Sequence, residues 1–600
     1  MNPASFSIRT EPSDPLALSG DVVGRPVAAN SDPAYCSDWI TKWLSRCEKE
    51  HPRCQRPIIT SRTTNIEPHK SEYSDDAPLP PRLIEVGSST SKTLSLRETR
   101  GMRGRYCALS YSWGRSKSFK TSKATYQERL RGFALDDLPT TIRDAIRLTR
   151  ALQFQFIWVD ALCIVQDDKL DWAENSAIMD QIYGFATITI AASLCDDKWH
   201  SLYRKRNQPQ SIRISSLSNT KSRIKPERGV MTISRRDGVF SDIFMAAPLA
   251  SRAWTLQEWL LSRRTVHITS EQIFWECQER GFGEDGSSFD QSFSSRVFLP
   301  PAGISPKPDL TQMLSRWKGV VDAYSQRKLF ATSDKLPALA GLAHQFQQLT
   351  DASYLAGMWR EEMPLGLLWT VQTSSLVETG RSAPEWRAPS WSWASIDGAV
   401  HCDGYQGLVL MASPGPTLEQ LEIVASEITL KNEANPFGEV TKAVLRVRGK
   451  AQRLRRKPQR LQHRTTSGRS GSVPLGYSMQ SGKGGVTFDN EATERGDVPE
   501  EFSCLLVDKR VDDEGELMSA FLVIEEVPGA LFDLKQWSSS IQFEVIAMCW
   551  LGEITVHIGN TFCKAINNLK AGPTTMDDEG AFFTAIRYER LAFVLGTPIE

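Results

Sequence analysis

The sequence has few of the features that would place it in a specialised class. Its 71 Lys and Arg residues balance 71 Asp and Glu residues, so net charge favours neither nucleic acid nor a membrane surface as a partner. The opening MNPASFSIRTEPSD has no apolar core, and we expect no signal peptide. The longest apolar run, FIWVDALCIV, is shorter than the ~20 residues of a spanning helix. We therefore expect no membrane span.

Common nucleotide and metal motifs are also missing. The sequence has no Walker A motif, no dinucleotide-binding glycine motif and no zinc-protease motif, so any nucleotide site must be of another kind. Its eleven cysteines are spread along the chain. This spread, without a signal peptide, favours a cytoplasmic protein with mostly free thiols.

The length of 600 residues predicts several domains, because one core rarely serves more than ~250–300 residues. Composition and hydrophobic periodicity suggest five segments. They are a disordered Ser/Pro-rich N-terminus (1–34), a helical and extended segment (35–99), an α/β domain (100–280), a helical, Trp-rich segment (300–400) and a β-rich C-terminal domain (420–600).

The α/β domain is predicted from alternating strands and helices. The strands are RYCALSYSW, FQFIWVD and ATITIAAS, and the helices between them are LPTTIRDAIRLTRALQ and DWAENSAIMDQIYGFA. This alternation favours a parallel sheet with helical crossovers. The polar, basic residues 195–247 that follow predict a long loop.

Within the C-terminal domain, residues 450–486 are rich in Arg, Gly and Ser. They predict a basic, disordered insertion that forms a solvated loop. A nucleic-acid or nuclear-import role is the alternative. Nothing else in the sequence supports that alternative, so we expect no nucleic-acid partner.

The stretch SRAWTLQEWLLS (251–262) has the spacing of an amphipathic helix. On a helical wheel, Gln257 falls inside the apolar face, and Glu258 falls at its edge beside Trp254. Half-covered, Glu258 would have a raised pKa and could stabilise an oxocarbenium ion. Alternatively, it is a helix-edge glutamate paired with Arg252 or Arg263.

Two further groups of candidate residues follow predicted strands. Ser110, Tyr111, Trp113 and Gly114 lie where one strand becomes a turn, and Asp160 follows the next strand. Ligands of open parallel sheets bind outside the carboxyl ends of the strands. The alternatives are a core strand closed by a tryptophan and an aspartate that caps a turn.

Four residues near the N-terminus raise the question of a metal. Cys36, Cys47, His51 and Cys54 are enough ligands for zinc, but their spacing is irregular. We favour packed thiols and a surface histidine, assign no metal ligand, and leave metal binding open. Cys163 has no nearby histidine, and a small buried residue is the favoured interpretation.

Three strings resemble the fungal heterokaryon-incompatibility (HET) domain family. They are YCALSYSWG (106–114), IWVDALCIVQDDKLDWAENSAIMDQIYGFATITIAAS (157–193) and SRAWTLQEWLLSRRTVHIT (251–269). They follow the family's Leu-Ser-Tyr-x-Trp-Gly, Trp-x-Asp-x-x-Cys-Ile-x-Gln and Arg-x-Trp-x-x-Gln-Glu patterns in that order. The resemblance makes 100–280 the HET domain. It implies a role in non-self recognition, a form of innate immunity in which activation triggers programmed cell death.

The family is also distantly similar to TIR domains, some of which hydrolyse NAD with a helix glutamate. This similarity implies a TIR- or flavodoxin-like sheet and makes Glu258 the catalytic candidate. The substrate-binding candidates are Ser110, Tyr111, Trp113, Gly114, Asp160, Arg252, Trp254 and Gln257. NAD would be a substrate, and no cofactor is expected.

A non-enzymatic alternative stands beside this hypothesis. The domain would then be an adaptor that self-associates and recruits a partner in incompatibility signalling. Self-association is expected under either hypothesis. The trigger, the partner locus, the oligomeric state and the role of the C-terminal domain stay open.

Overall fold

The structure is a computed structural model. It describes residues 6–55, 77–114, 119–206, 210–217, 228–235, 240–289, 309–371, 381–382, 385–402, 417–449, 451–456, 475–479, 482–486, 501–511, 517–524, 541–546 and 592–597. The chain divides into two compact units. The first comprises Met1–Pro308 and Pro337–Leu349, and the second comprises Asp309–Leu336 and Thr350–Glu600.

The described residues form the following helices and strands. The α-helices are α1 (Pro15–Leu18), α2 (Pro33–Glu50), α3 (Tyr126–Arg131), α4 (Thr140–Ala151), α5 (Asp160–Cys163), α6 (Lys169–Ala177), α7 (Met179–Phe185), α8 (Phe240–Ala246), α9 (Trp254–Leu261), α10 (Leu310–Ser325) and α11 (Ala340–Thr350). The strands up to residue 289 are β1 (Phe6–Arg9), β2 (Ala77–Pro78), β3 (Arg82–Glu85), β4 (Thr93–Glu98), β5 (Arg103–Gly104), β6 (Cys107–Ser110), β7 (Phe133–Ala134), β8 (Phe156–Trp158), β9 (Ile188–Ala191), β10 (Ser211–Leu217), β11 (Arg228–Arg235), β12 (Arg264–Ile268), β13 (Ile273–Cys277), β14 (Gly281–Gly283) and β15 (Ser288–Phe289). The later strands are β16 (Tyr354–Leu355), β17 (Met358–Trp359), β18 (Thr370–Val371), β19 (Arg381–Ser382), β20 (Ile396–Asp397), β21 (Val400–His401), β22 (Thr417–Gln420), β23 (Glu422–Leu430), β24 (Val440–Gly449), β25 (Ala451–Arg456), β26 (Leu475–Met479), β27 (Gly482–Val486), β28 (Glu501–Val511), β29 (Leu517–Ile524), β30 (Ile541–Ile546) and β31 (Ala592–Thr597).

The main sheet of the first unit has ten strands in the order β15-β14-β13-β12-β9-β6-β8-β3-β4-β7. The four neighbours β12, β9, β6 and β8 are parallel. The other pairings in this sheet are antiparallel. The α/β class is therefore confirmed, but the prediction of a parallel sheet is wrong outside the four central strands. Antiparallel strands extend the sheet on both sides.

The central strands form because their residues suit a doubly covered sheet. Every residue of β6 and β9 is buried, and buried parallel strands are continuous apolar runs. The helix predicted over DWAENSAIMDQIYGFA is two helices, α6 and α7, which meet at Ile178. The Asp168 side chain caps the start of α6 by accepting from two backbone N–H groups.

Residues 6–34, where the composition predicts disorder, include strand β1 and helix α1. Strand β1 pairs antiparallel with β11, which also pairs with β10. The Asp14 carboxylate accepts from the backbone N–H groups of Leu16 and Val230, the latter at 2.8 Å. The long loop predicted for 195–247 is likewise replaced in part by β10, β11 and α8. A polar strand can still pair through its backbone, and composition does not report that pairing.

The second unit has an aromatic core around α10. Trp317 packs edge-on against Trp359 with ring centroids 5.3 Å apart, and Tyr324 packs on Trp393 in the same way at 5.8 Å. Helix α10 thus forms part of the helical segment predicted for 300–400. These tryptophans are almost fully buried, as expected of stacked aromatic side chains.

The elements described after residue 416 are strands β22–β31. Three of them, β25, β26 and β27, lie inside 450–486, where the sequence predicts a disordered insertion. Residues 457–474 of that insertion lie outside the described part. Among the described residues, no helix is both long enough and apolar enough to cross a membrane.

Candidate functional site

The candidate site is built where α9 meets the carboxyl end of β6. Strand β6 ends at Ser110, and α9 begins at Trp254 after a short 3-10 turn, Pro248–Ser251. The Ser110 hydroxyl donates to Oε2 of Glu258. Both side chains are buried. The two predicted candidates therefore meet at the sheet edge where parallel folds bind ligands.

Glu258 is more enclosed than its place on the helical wheel predicts. It is 6% exposed, because α9 is covered on every side from Thr255 to Leu261. Burial raises the pKa of Glu258 to about 7, and the Arg252 charge and the Ser110 hydrogen bond oppose this rise. The pKa of Glu258 is therefore raised, as expected from its partial burial in the sequence analysis. Near neutral pH the group is divided between its acid and its carboxylate form.

A second carboxyl group lies in the same environment. Asp160 begins α5, directly after β8. Its Oδ2 accepts from the indole Nε1 of Trp113 at 2.6 Å, and its Oδ1 accepts from the Ala161 N–H at 2.6 Å. Burial raises the pKa of Asp160, and the Trp113 hydrogen bond and the Arg252 charge oppose the rise. The charge of Asp160 also raises the pKa of Glu258, and the charge of Arg252 lowers the pKa of both groups.

Arg252 is the positive charge common to both carboxyl groups. Its guanidinium donates to the Tyr111 backbone carbonyl, and its charge lowers the pKa of both Glu258 and Asp160. The predicted alternative, in which Glu258 pairs with Arg252, thus agrees with the effect of the Arg252 charge on the pKa of Glu258. Arg263 lies elsewhere, beside Arg264 and Tyr106, where burial lowers its pKa to about 10.

The turn after β6 is fixed by backbone geometry and by two residues that the sequence did not single out. Gly114 has a φ of +67°, and a Cβ at this position would lie 1.8 Å from Oδ2 of Asp197. A side chain is therefore excluded there. The buried Lys198 ammonium donates to the Trp113 carbonyl at 2.9 Å. Asp197 and Lys198 gave no sequence signal beyond their position in a polar segment.

Two predicted substrate-binding residues, Gln257 and Trp254, contact other helices of the first unit. Oε1 of the fully buried Gln257 accepts from the Gly341 N–H at 3.2 Å, which links α9 to α11. Its amide nitrogen has no hydrogen-bond partner among the described residues. The half-buried Trp254 packs edge-on against Trp172. The burial predicted for Gln257 is confirmed.

Tyr183 belongs to the site and was missed. It is buried in α7, and its hydroxyl donates to the Leu109 carbonyl at 3.3 Å. Its pKa is well above the usual value because of burial and the nearby charge of Glu258. The sequence shows only a tyrosine in a helical pattern, and its approach to Glu258 depends on the packing of α7 on α9.

The cysteine cluster in the structure differs by one member from the group considered in the sequence. Cys36 lies apart, near the Arg206 and Asp32 charges. Cys47, His51 and Cys54 come together and are joined by Cys277, which no local spacing could have indicated. The predicted surface histidine is wrong, because His51 is buried. Cys163 is buried as expected, and burial raises its pKa to about 12.

The site of this α/β domain has one buried and one half-buried carboxyl group, Glu258 and Asp160, at the carboxyl edge of its central strands. Residues 106–258, about a quarter of the chain, match the family model described as heterokaryon incompatibility protein (HET). These residues therefore form a HET domain, and the resemblance seen in the sequence is confirmed. The match supports a function of the heterokaryon-incompatibility type. No curated protein and no solved structure matched the chain.

Proposed function

We propose that this protein is an incompatibility effector whose HET domain hydrolyses NAD and thereby promotes cell death. The observation that carries the proposal is the enclosed Glu258, with its pKa near 7, beside Ser110, Asp160 and Arg252. Strongly perturbed carboxyl groups at the edge of a sheet are typical of functional sites.

The order of the central strands supports the position of this site. In order along the chain they are β6, β8, β9 and β12, and in the sheet they follow the order second, first, third, fourth. Flavodoxin-like sheets begin in the same way, and their ligands bind where the strand order reverses. Here the reversal falls between β6 and β9, and Ser110 lies at the carboxyl end of β6. This is the part of a TIR- or flavodoxin-like fold on which the analogy depends.

The reaction needs one carboxylate next to the ribose whose bond to nicotinamide is cleaved. The bond between the nicotinamide nitrogen and ribose C1′ breaks, and nicotinamide leaves with the bonding electron pair. The ionised form of Glu258 stabilises the positive charge that develops on the ribose. Water then adds to C1′ and releases a proton. Arg252 supplies a positive charge that favours the ionised form of both carboxyl groups and attracts the anionic pyrophosphate.

The contact of Ser110 with Glu258 also supports a second candidate function. The hydrogen bond links α9 to β6 inside the domain. If this link is its only role, Glu258 is a structural residue. The domain would then act as an adaptor that self-associates and recruits a cell-death partner. Glu258→Gln separates the two functions, because the amide keeps the shape of the side chain and cannot carry the negative charge.

The test incubates the purified full chain with NAD at high protein concentration and follows nicotinamide release by chromatography. The wild type is compared with Glu258→Gln and with Glu276→Gln. Glu276 is an equally buried glutamate of the same unit, bonded to Trp259 and His267 at 2.7 and 3.0 Å. We expect release by the wild type and by Glu276→Gln, and a loss of at least roughly 100-fold in Glu258→Gln.

Toxicity on expression in a fungal host completes the experiment. Equal nicotinamide release by the wild type and folded Glu258→Gln would remove Glu258 from the chemistry. If neither protein releases nicotinamide and both are toxic, the enzyme proposal is wrong and the adaptor stands. If Glu258→Gln is folded but both inactive and harmless, the hydrolase is supported.

A further inference from the structure

Three cysteines and a histidine converge at one point of the first unit. Cys47, His51, Cys54 and Cys277 are all buried, and their three Sγ atoms and one ring nitrogen lie within 4.8 Å of one another. His51 Nδ1 lies 3.2 Å from Cys277 Sγ. These residues are separate from the Glu258 site and are not used in the proposed hydrolysis.

Three of the four residues are set in place by the end of one helix. Cys47 lies in the last turn of α2, His51 follows its end, and Cys54 lies in the 3-10 turn Pro52–Gln55. The His51 N–H donates to the Cys47 carbonyl at 3.2 Å, and the Cys54 N–H donates to the His51 carbonyl at 3.0 Å. These backbone bonds fold the segment so that its three side chains face one point.

The fourth residue comes from the main sheet. Cys277 is the last residue of β13, and it stands opposite Arg264 of β12 in the antiparallel register. Arg264 donates through Nε to Cys47 Sγ at 3.2 Å and through Nη2 to the Cys54 carbonyl at 3.1 Å. A buried guanidinium that donates to a cysteine sulfur binds a thiolate more strongly than a neutral thiol, because a thiol sulfur is a weak acceptor.

The ligand set and its spacing favour zinc. A tetrahedral zinc ion with bonds of about 2.3 Å to sulfur and about 2.0 Å to nitrogen separates its ligand atoms by roughly 3.5 to 3.8 Å. The observed atoms are all within 4.8 Å, so only small side-chain adjustments are needed. Three thiolates around Zn²⁺ have a net charge of −1, which the Arg264 guanidinium compensates.

We propose that Cys47, His51, Cys54 and Cys277 bind a structural zinc ion that joins the end of α2 to the end of β13. Four protein ligands complete the tetrahedron, so the ion has no open position for substrate and is not catalytic. Arg264 is the positioning residue that orients Cys47 and balances the charge.

The experiment measures zinc in the full chain purified without chelator, by mass spectrometry of the metal, together with replacement by Co²⁺. Cys277→Ser and Cys54→Ser are compared with Cys36→Ser. Cys36 is a matched control, because it is equally buried on the same helix and outside the cluster. We expect one zinc per wild-type chain and per Cys36→Ser chain, and at least a tenfold lower occupancy in the two cluster variants.

Cobalt binding by the wild type gives a readout that does not depend on the folding of any variant. In the wild type, added Co²⁺ should give the sulfur-to-metal charge-transfer and visible bands of a tetrahedral thiolate site. Cys277→His, which keeps a ligand, should keep the tetrahedral bands with weaker charge transfer. The proposal is overturned if the wild type neither contains zinc nor takes up Zn²⁺ or Co²⁺. It is also overturned if mass spectrometry finds a disulfide among the three cysteines of the freshly purified chain.

Discussion

Glu258 in the first unit and Lys335 in the second are both buried ionisable groups, and their surroundings differ. Burial raises the pKa of Glu258 to about 7 and lowers that of Lys335 to about 7. Around Glu258 stand a hydroxyl, a second carboxyl group and an arginine. The Lys335 ammonium lies over the rings of Tyr324 and Trp393, at 5.6 and 5.7 Å.

The comparison shows that a perturbed pKa alone does not identify a functional site. Both groups are perturbed mainly by burial. Only Glu258 stands at the carboxyl end of parallel strands with other polar groups directed toward it. Lys335 is packed among aromatic rings, which solvate a cation without offering hydrogen bonds. Our proposal therefore places the chemistry at Glu258, and the contacts of Lys335 favour a packing role.

The largest expected effect is on the stability of the second unit. Lys335→Met should raise the free energy of unfolding below pH 7 by up to about 5 kcal/mol, less the lost ring contacts. The advantage should shrink between pH 7 and 10.5, where the unfolded wild type binds the proton more tightly than the folded wild type. Denaturant unfolding at pH 6 and pH 9, with hydrogen exchange in α10, measures this change.

Lys318→Met is the matched control for that prediction. Lys318 is also buried in this unit, but its ammonium pairs with Glu362 at 2.8 Å. Removing it leaves a buried carboxylate without that partner, and we expect destabilisation. Equal loss of stability in both variants would show that Lys335 has an ionic role and would break the comparison.

The second prediction concerns the effect of pH on Glu258. The pKa of this group is raised in the folded protein, so its contribution to stability is present below about pH 4.5 and is lost as the pH rises through about 7. Glu258→Gln should therefore gain stability relative to the wild type over this window, by up to about 3 kcal/mol. Unfolding curves of both proteins from pH 4.5 to 8 test it. A constant difference across the window would mean that Glu258 stays ionised in the fold.

The third prediction concerns the charge that opposes the rise in the pKa of Glu258. Arg252→Gln removes it, and the pH midpoint of nicotinamide release should move upward by about one pH unit. The rate at neutral pH should fall accordingly, because less of Glu258 is ionised. Arg252→Lys retains the charge and should retain the midpoint. A midpoint that is unchanged in Arg252→Gln would exclude this electrostatic role.

The smallest expected effect belongs to the hydroxyl that binds Glu258. Ser110→Ala should cost about 1 kcal/mol in stability and raise the pKa of Glu258 further. Ser262→Ala is the control, since Ser262 Oγ donates to the Glu258 backbone carbonyl at 2.6 Å and not to the carboxylate. Both variants should lose stability, and only Ser110→Ala should change the pH profile. The same pH shift in both variants would contradict the assignment.

Local periodicity predicted much of the first unit but not the assembly of its sites. The burial of Gln257 follows from the helical wheel, since it lies inside an apolar face. Glu258 was placed at an edge because a wheel describes one covering surface, whereas α9 is covered all around. The approach of Tyr183 to Glu258 depends on helix packing, which sequence spacing does not report.

The same limit applies to the cysteine group. Cys47, His51 and Cys54 could be seen together because one helix end holds them. Cys277 could not, because its place is fixed by the order of strands in the sheet. The polar N-terminus was expected to be disordered for a related reason. Strand β1 is held by backbone pairing with β11, which the composition of the segment does not report.

The contact between His51 and Cys277 has a consequence for how the chain is made. The two residues are 226 positions apart, and residues 106–258 lie wholly between them. During synthesis, the end of α2 leaves the ribosome long before β13 exists. Its three metal-binding side chains must wait for the rest of the domain. The residues of the family match thus lie between the two parts of the cysteine–histidine cluster, and a truncated product that stops before Cys277 would carry the complete family match but lack the fourth cluster residue.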